Sequence, residues 1–206
     1  MRSVVCGAWR AIVCAVLIGA SASCGDVVRQ GRSPVMMTVN SLQAAPGNNP
    51  GSYSGTLLSD VITNVTSPAP CSTDNPCPTV FSDVGQVVLS LAPKDISVAP
   101  TTNNQVTVTR YHVSYIRADG RNTPGQDVPY GFDGAVTGLV PPSGTATLTF
   151  EIVRHVAKEE SPLVQLIANP AVISTIANVT FYGTDQVGND ISATGTMLVD
   201  FGNFGD

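Results

Sequence analysis

From residue 145 to 156 apolar and polar side chains alternate. Ala146, Leu148, Phe150 and Ile152 share one face, and Thr147, Thr149 and Glu151 share the other. A period of two puts successive side chains on opposite sides of an extended chain, so this segment reads as a strand with one face in a core and one in water. Ile191, Ala193, Met197, Val199 and Phe201 repeat the pattern. Such a strand is not stable alone, because its apolar face must meet a second layer. Composition points the same way: 28 Val, 20 Thr and 10 Ile stand against 11 Leu, 3 Glu and 2 Lys, an excess of β-branched over helix-forming residues. With 43% hydrophobic residues in a chain of 206, there is enough apolar material for one packed all-β domain, and wholesale disorder is excluded.

Turn punctuation divides the chain into about eight strands, at 35–42, 55–63, 86–92, 105–117, 135–140, 145–156, 178–184 and 190–201. Within 105–117 the apolar phase starts on Val106 and Val108 but continues on Tyr111, Val113 and Tyr115. The register therefore slips near Thr109 or Arg110, as a bulge or a change of sheet would cause. Residues 64–78 carry four prolines and read as a surface loop. Helical character is confined to 157–169, where Ser161 and Pro162 precede Leu163, Val164, Leu166 and Ile167, and amounts to two turns at most.

The first two dozen residues stand apart. Arg2 and Arg10 flank the start of a twelve-residue apolar run at 11–22, shorter than the roughly 20 residues that a membrane-spanning helix needs. It reads as an export signal. This divides the chain into a signal peptide at 1–23, a flexible polar anchor segment at 24–34 and a single β-sandwich domain at 35–206. Ser21, Ala22 and Ser23 ahead of Cys24 resemble the lipobox of bacterial lipoproteins, although Ser21 stands where that motif usually has Leu. The resemblance implies lipidation of Cys24, with palmitate among the acyl groups, and attachment to a membrane through that anchor. Gly25 follows the cysteine in place of the Asp associated with inner-membrane retention, so an outer-membrane or cell-surface location is implied. Ordinary cleavage after 20–22 or 21–23, each a small-x-small triplet, is the alternative and leaves a soluble periplasmic or secreted protein.

Cys6 and Cys14 leave with the signal, so beyond Cys24 only Cys71 and Cys77 remain. An even remainder in an exported protein points to a disulfide, and the turn-forming residues between them can close it. Two thiols without a nearby His cannot complete a tetrahedral metal site. The net charge of −5 argues against nucleic acid and anionic headgroups as partners.

Residues 179–190, with their Asp185-Gln-Val-Gly-Asn-Asp190 turn, running on into 191–201, resemble the last hairpin of an immunoglobulin-like or fibronectin type III-like β-sandwich of bacterial surface proteins; 111–117 is similar to a central strand of that fold. The resemblance implies an antiparallel sandwich and no particular activity, since the fold hosts adhesion, carbohydrate recognition and plain spacing. The Cys-Trp-Cys core of antibody domains is missing, because the sole tryptophan is Trp9.

His112 and His155 fall on the polar side of their strands, and neither lies in a nucleophile or metal motif. Glu159 and Glu160 are adjacent, so they point apart and read as a solvated pair, whereas glycosidase carboxylates must face each other. The most distinctive segment is 118–134, in which Asp119, Asn122, Asp127 and Asp133 supply hard oxygens and Tyr130 and Phe132 supply aromatic surface. It can be read as a Ca²⁺ or sugar site. It can equally be read as a long connection whose polar side chains bond their own backbone and whose rings cover the sandwich edge; its spacing matches no defined Ca²⁺ loop. The expectation is a non-enzymatic cell-envelope lipoprotein without cofactor or metal, a binding or structural module that contacts an envelope protein or a glycan through these six residues. The alternative is a secreted carbohydrate-binding or hydrolytic accessory domain.

Overall fold

The computed structural model describes residues 31–205. The signal segment 1–23 and Cys24 lie outside the described residues. Ten strands are formed: β1 (Val35–Ala45), β2 (Thr56–Asp60), β3 (Thr63–Val65), β4 (Cys77–Thr79), β5 (Asp83–Pro93), β6 (Val106–Ile116), β7 (Phe132–Val140), β8 (Thr145–Val153), β9 (Ile173–Asp185) and β10 (Asp190–Gly202). Eight of them make a three-stranded sheet in the order β1-β5-β8 and a five-stranded sheet in the order β2-β10-β9-β6-β7, and β3 and β4 make a two-stranded sheet of their own. All pairings are antiparallel except that of edge strand β2, which runs parallel to β10.

The two sheets face each other across an aromatic core. Phe150 from β8 meets Tyr111 of β6 at 5.0 Å and Phe181 of β9 at 5.2 Å, both edge to face. Deeper along the sandwich the Tyr115 hydroxyl donates to the Ile152 carbonyl of the opposite sheet. Burial pushes the Tyr115 phenol far above its ordinary value, so it stays a donor. Close approach of the layers depends on glycine at Gly138, where a Cβ would overlap the side chain of Leu148.

The register slip is at the expected place. Pairing of β6 with both β7 and β9 skips between Val108 and Arg110. Thr109 is the extra residue, and it lets Val106 and Val108 on one side of the bulge and Tyr111, Val113 and Tyr115 on the other all face the core.

Other expectations are corrected. The strand starting at Thr145 stops at Val153, and the chain turns into a short helix, α1 (His155–Glu159). His155 is therefore an exposed residue of the first helical turn and not a strand residue. A second helical turn, a 3-10 segment over Leu163–Ile167, buries Leu163 and Leu166. The 64–78 segment is not wholly loop, since β3 and β4 pair into a ribbon. As expected, Cys71 and Cys77 are joined by a disulfide, their Cα atoms 5.4 Å apart. The packed chain also begins before Val35, because Ser33 is buried.

The sandwich has two unlike ends. At one, Ser33 and Pro34 enter beside the 94–104 connection, with Lys94 N–H bonded to the Pro34 carbonyl, and the β9–β10 turn lies there too, since Val106 at the start of β6 pairs with Asp185. At the other end are the 46–51 turn, the disulfide ribbon, α1 and the 117–131 connection between β6 and β7.

Candidate functional site

The connection from β6 to β7 is held by its own polar groups. Arg117 donates from Nε and Nη2 to the two carboxylate oxygens of Asp119, at 3.1 and 2.7 Å. Arg121 adds Nε and Nη2 contacts to Asp119 Oδ2 at 3.0 and 2.8 Å, and its backbone N–H reaches Oδ1. Hydrogen bonds from Arg117 first and Arg121 second hold the Asp119 carboxyl well below the usual carboxylate range. Asn122 Oδ1 accepts the Arg117 backbone N–H at 2.6 Å, and Asp127 Oδ2 accepts that of Thr123 at 3.2 Å. Three of the expected contact residues, Asp119, Asn122 and Asp127, thus act on the loop itself, as short polar side chains do in tight connections.

The two rings part company. Tyr130 lies across Gly125, whose φ of +76° places it in the left-handed region and where a Cβ would overlap the phenol; the ring remains 52% exposed. Phe132 is only 8% exposed. It packs edge to face on Tyr111 at 6.1 Å and under the Arg154 guanidinium at 4.6 Å. It is a core residue closing the end of the sandwich and cannot be the contact surface expected of it, because in alternation along β7 it shares the inward phase of Val136 and Val140.

Asp133, one step further, points outward, where it meets Arg110 Nη1 at 3.4 Å and His112 Nδ1 at 3.2 Å. Arg110 also stacks on the Tyr182 ring at 3.9 Å, next to a shallow cleft of about 330 Å³ whose walls include Thr184 and Asp190. The six residues therefore form four groups: Asp119, Asn122 and Asp127 in a self-bonded loop, Tyr130 as an exposed ring, Phe132 in the core, and Asp133 on the outer sheet face. Among the described residues no three His, Cys, Asp or Glu side chains come together as metal ligands would.

One polar cluster is announced by no motif in the sequence. Asp83 Oδ2 accepts Lys158 Nζ at 2.9 Å and Ser59 Oγ at 2.6 Å, Asp83 Oδ1 accepts the Gly47 N–H at 2.9 Å, and Lys158 Nζ donates again to the Asp60 carbonyl at 2.8 Å. Both charged side chains are sealed from solvent, at 0% and 1% exposure. Burial pushes the Asp83 carboxyl up, opposed by the Lys158 charge and by the Ser59, Lys158 and Gly47 hydrogen bonds. The cluster ties together β2, β5, α1 and the turn after β1. Having no open side, it offers a substrate no approach, and its role is to fix that end of the frame. The one local sign is that Lys158 is one of two lysines and lies between apolar residues and Glu159; no spacing connects it to Asp83.

What the arrangement can do is present an irregular, self-bonded surface at one end of the frame, with Tyr130 and Arg121 exposed on it. Compared with known protein families, curated proteins and solved structures, the chain matches none.

Proposed function

We propose that this chain is a non-enzymatic envelope lipoprotein, an immunoglobulin-like binding or structural module that is lipid-anchored through Cys24 and displays its 117–131 loop to an envelope protein or glycan. The order β1-β5-β8 facing β10-β9-β6-β7 supports the immunoglobulin-like reading, since it matches strands A, B, E facing G, F, C, C′ of that sandwich. The carrying observation is the separation of the two ends. The anchor segment joins the frame at Ser33, beside Asp185, whereas β6 and β9 run the length of the sheet before reaching the loop, a span of roughly 35 Å at strand rise. A tether at one end and a self-braced loop with an exposed ring at the other is the layout of a surface that faces away from its membrane.

Metabolic labelling with an acyl-chain probe tests the anchor: the wild type should be marked and Cys24→Ala should not, and equal labelling of both overturns it. Cross-linked capture from native envelopes tests the contact. Tyr130→Ser with Arg121→Ser should lower capture while the far-ultraviolet β signal and Tm hold, and unchanged capture moves the contact elsewhere.

A second reading, a secreted glycan-binding accessory domain, is favoured by the outer face of the five-stranded sheet. There the Thr180 and Thr194 hydroxyls meet at 2.9 Å, next to the Arg110–Tyr182 stack. Retention on immobilised polysaccharides that is lost in Tyr182→Ala would support it.

A further inference from the structure

We propose that the tether end of the sandwich is itself a membrane-contact surface, whose loop tips set Ile96, Val98 and Val187 into the interface of the bilayer that holds the lipid on Cys24. This rests on the anchor reading above. Among the described residues the three large hydrophobic side chains with the greatest exposure are Ile96 at 94%, Val187 at 78% and Val98 at 60%. All three lie at the same end. Val98 shares a groove with Pro34 and Val35, where the anchor segment enters, and Val187 is in the β9–β10 turn above Asp185. Single exposed aliphatics are ordinary on a protein surface; the three most exposed gathered where the tether leaves are not scattered in that way.

In both loops a carboxylate bonds the loop's own backbone, Asp95 at the exposed surface and Asp185 in the interior. Asp95 Oδ1 accepts the Ser97 N–H at 2.9 Å and the Ser97 hydroxyl at 2.6 Å, bracketing Ile96 and leading into Val98. Asp185, itself buried, accepts the N–H groups of Val187 and Asn189 at 3.1 and 2.8 Å, and the Asn189 side-chain amide on its other oxygen. In each loop the carboxylate braces the backbone and an aliphatic side chain is left at the apex.

The occupant is set by the chain outside the structure. Eight residues lie between Cys24 and Ser33, nine Cα–Cα steps with a reach of at most about 30 Å. An acylated Cys24 therefore keeps this end within that distance of the headgroups, while the opposite end is held only within that reach plus the length of the sheet. The net charge of −5 gives no attraction to anionic headgroups, so the contact is apolar and suits a zwitterionic surface. Apolar side chains seated at the headgroup–acyl boundary add a second holding interaction to a lipid anchor.

The test uses purified full-length protein with phosphatidylcholine vesicles. Ile96→Trp and Val187→Trp, read as difference spectra against wild type, should shift their emission to the blue on vesicle addition and be quenched by bromine-labelled lipid; Tyr130→Trp at the far end should do neither. In the Cys24→Ala background the Ile96→Asn, Val98→Asn, Val187→Asn triple variant should bind vesicles at least about tenfold more weakly than its parent, since that is already the effect of returning one aliphatic side chain to water. Intact mass reports lipid on Cys24 independently. Lipid present with no shift overturns the contact and leaves the anchor standing. A shift without lipid leaves the contact standing and overturns the anchor, and neither overturns both. A shift that grows with protein concentration in the absence of vesicles assigns the tips to a second copy of the chain and overturns the bilayer.

Discussion

Asp83 and Asp119 are both held by a cation and by backbone N–H donors, yet their carboxyls are pushed in opposite directions. Asp119 has two guanidiniums and open solvent, and it is held low. Asp83 has one ammonium, one hydroxyl and no solvent, and it is pushed up. The contrast teaches that the number of partners does not decide what an acid does to a fold. An exposed pair keeps most of its hydration in either state, so making it gains little. A buried pair has already given up its hydration, so breaking it leaves one charge with nothing to replace the water.

The sharpest way to break this comparison is Lys158→Met, which should cost about 3–5 kcal/mol in chemical denaturation by stranding Asp83, with much of that loss recovered when Asp83→Asn is added. A cost under about 1 kcal/mol would mean that Asp83 is already neutral and the cluster is no ion pair. The next effect separates the two rings of the loop: Phe132→Ala should cost about 3 kcal/mol as a core cavity, whereas Tyr130→Ala should stay within about 0.5 kcal/mol in the same assay. Comparable costs would erase the distinction between the closing ring and the displayed one. Replacing Cys71 and Cys77 together by Ser should lower stability by roughly 2 kcal/mol, the chain-entropy value for so short a closed loop, read as a shift in Tm under non-reducing conditions.

The smallest effects come from pH. Asp119, with its folded pKa below 3.8, contributes stability that is present above the unfolded value and is lost as pH falls through the lowered one. Asp83 has the opposite sign: its pKa is raised above 3.8, so its contribution is present below the unfolded value and is lost as pH rises through the raised one. Carboxyl NMR titration should find Asp119 protonating below, and Asp83 above, the ordinary carboxylate range. Raising salt should move Asp119 and leave Asp83 nearly unchanged, because screening reaches only the exposed group.

Much of the frame is legible in the order of the residues. Alternation locates β8 and β10, and the change of phase between Val108 and Tyr111 marks the bulge, because burial on one face writes itself into a period of two. The loop is legible as a loop, but the fate of its side chains is not. Asp119, Asn122 and Asp127 could equally have faced a ligand, and only the positions of Arg117, Arg121 and Thr123 in space show them bonded at home. Phe132 reads as surface only if its strand begins at Ala135; once β7 starts at Phe132, its inward phase follows.

By itself, then, the sequence determined that this chain is built of strands, where most of them run, and which of their faces meet the core, since those properties depend on residues close together in the chain. The tertiary structure alone decided that β2 lies parallel to β10, that Lys158 reaches Asp83, and that Ile96, Val98 and Val187 come to the end where Ser33 and Pro34 enter the sandwich. Each of these joins segments far apart in sequence. The physical reason is that their pairing is selected by the packing and desolvation of the whole sandwich, and no local pattern of residues carries that information.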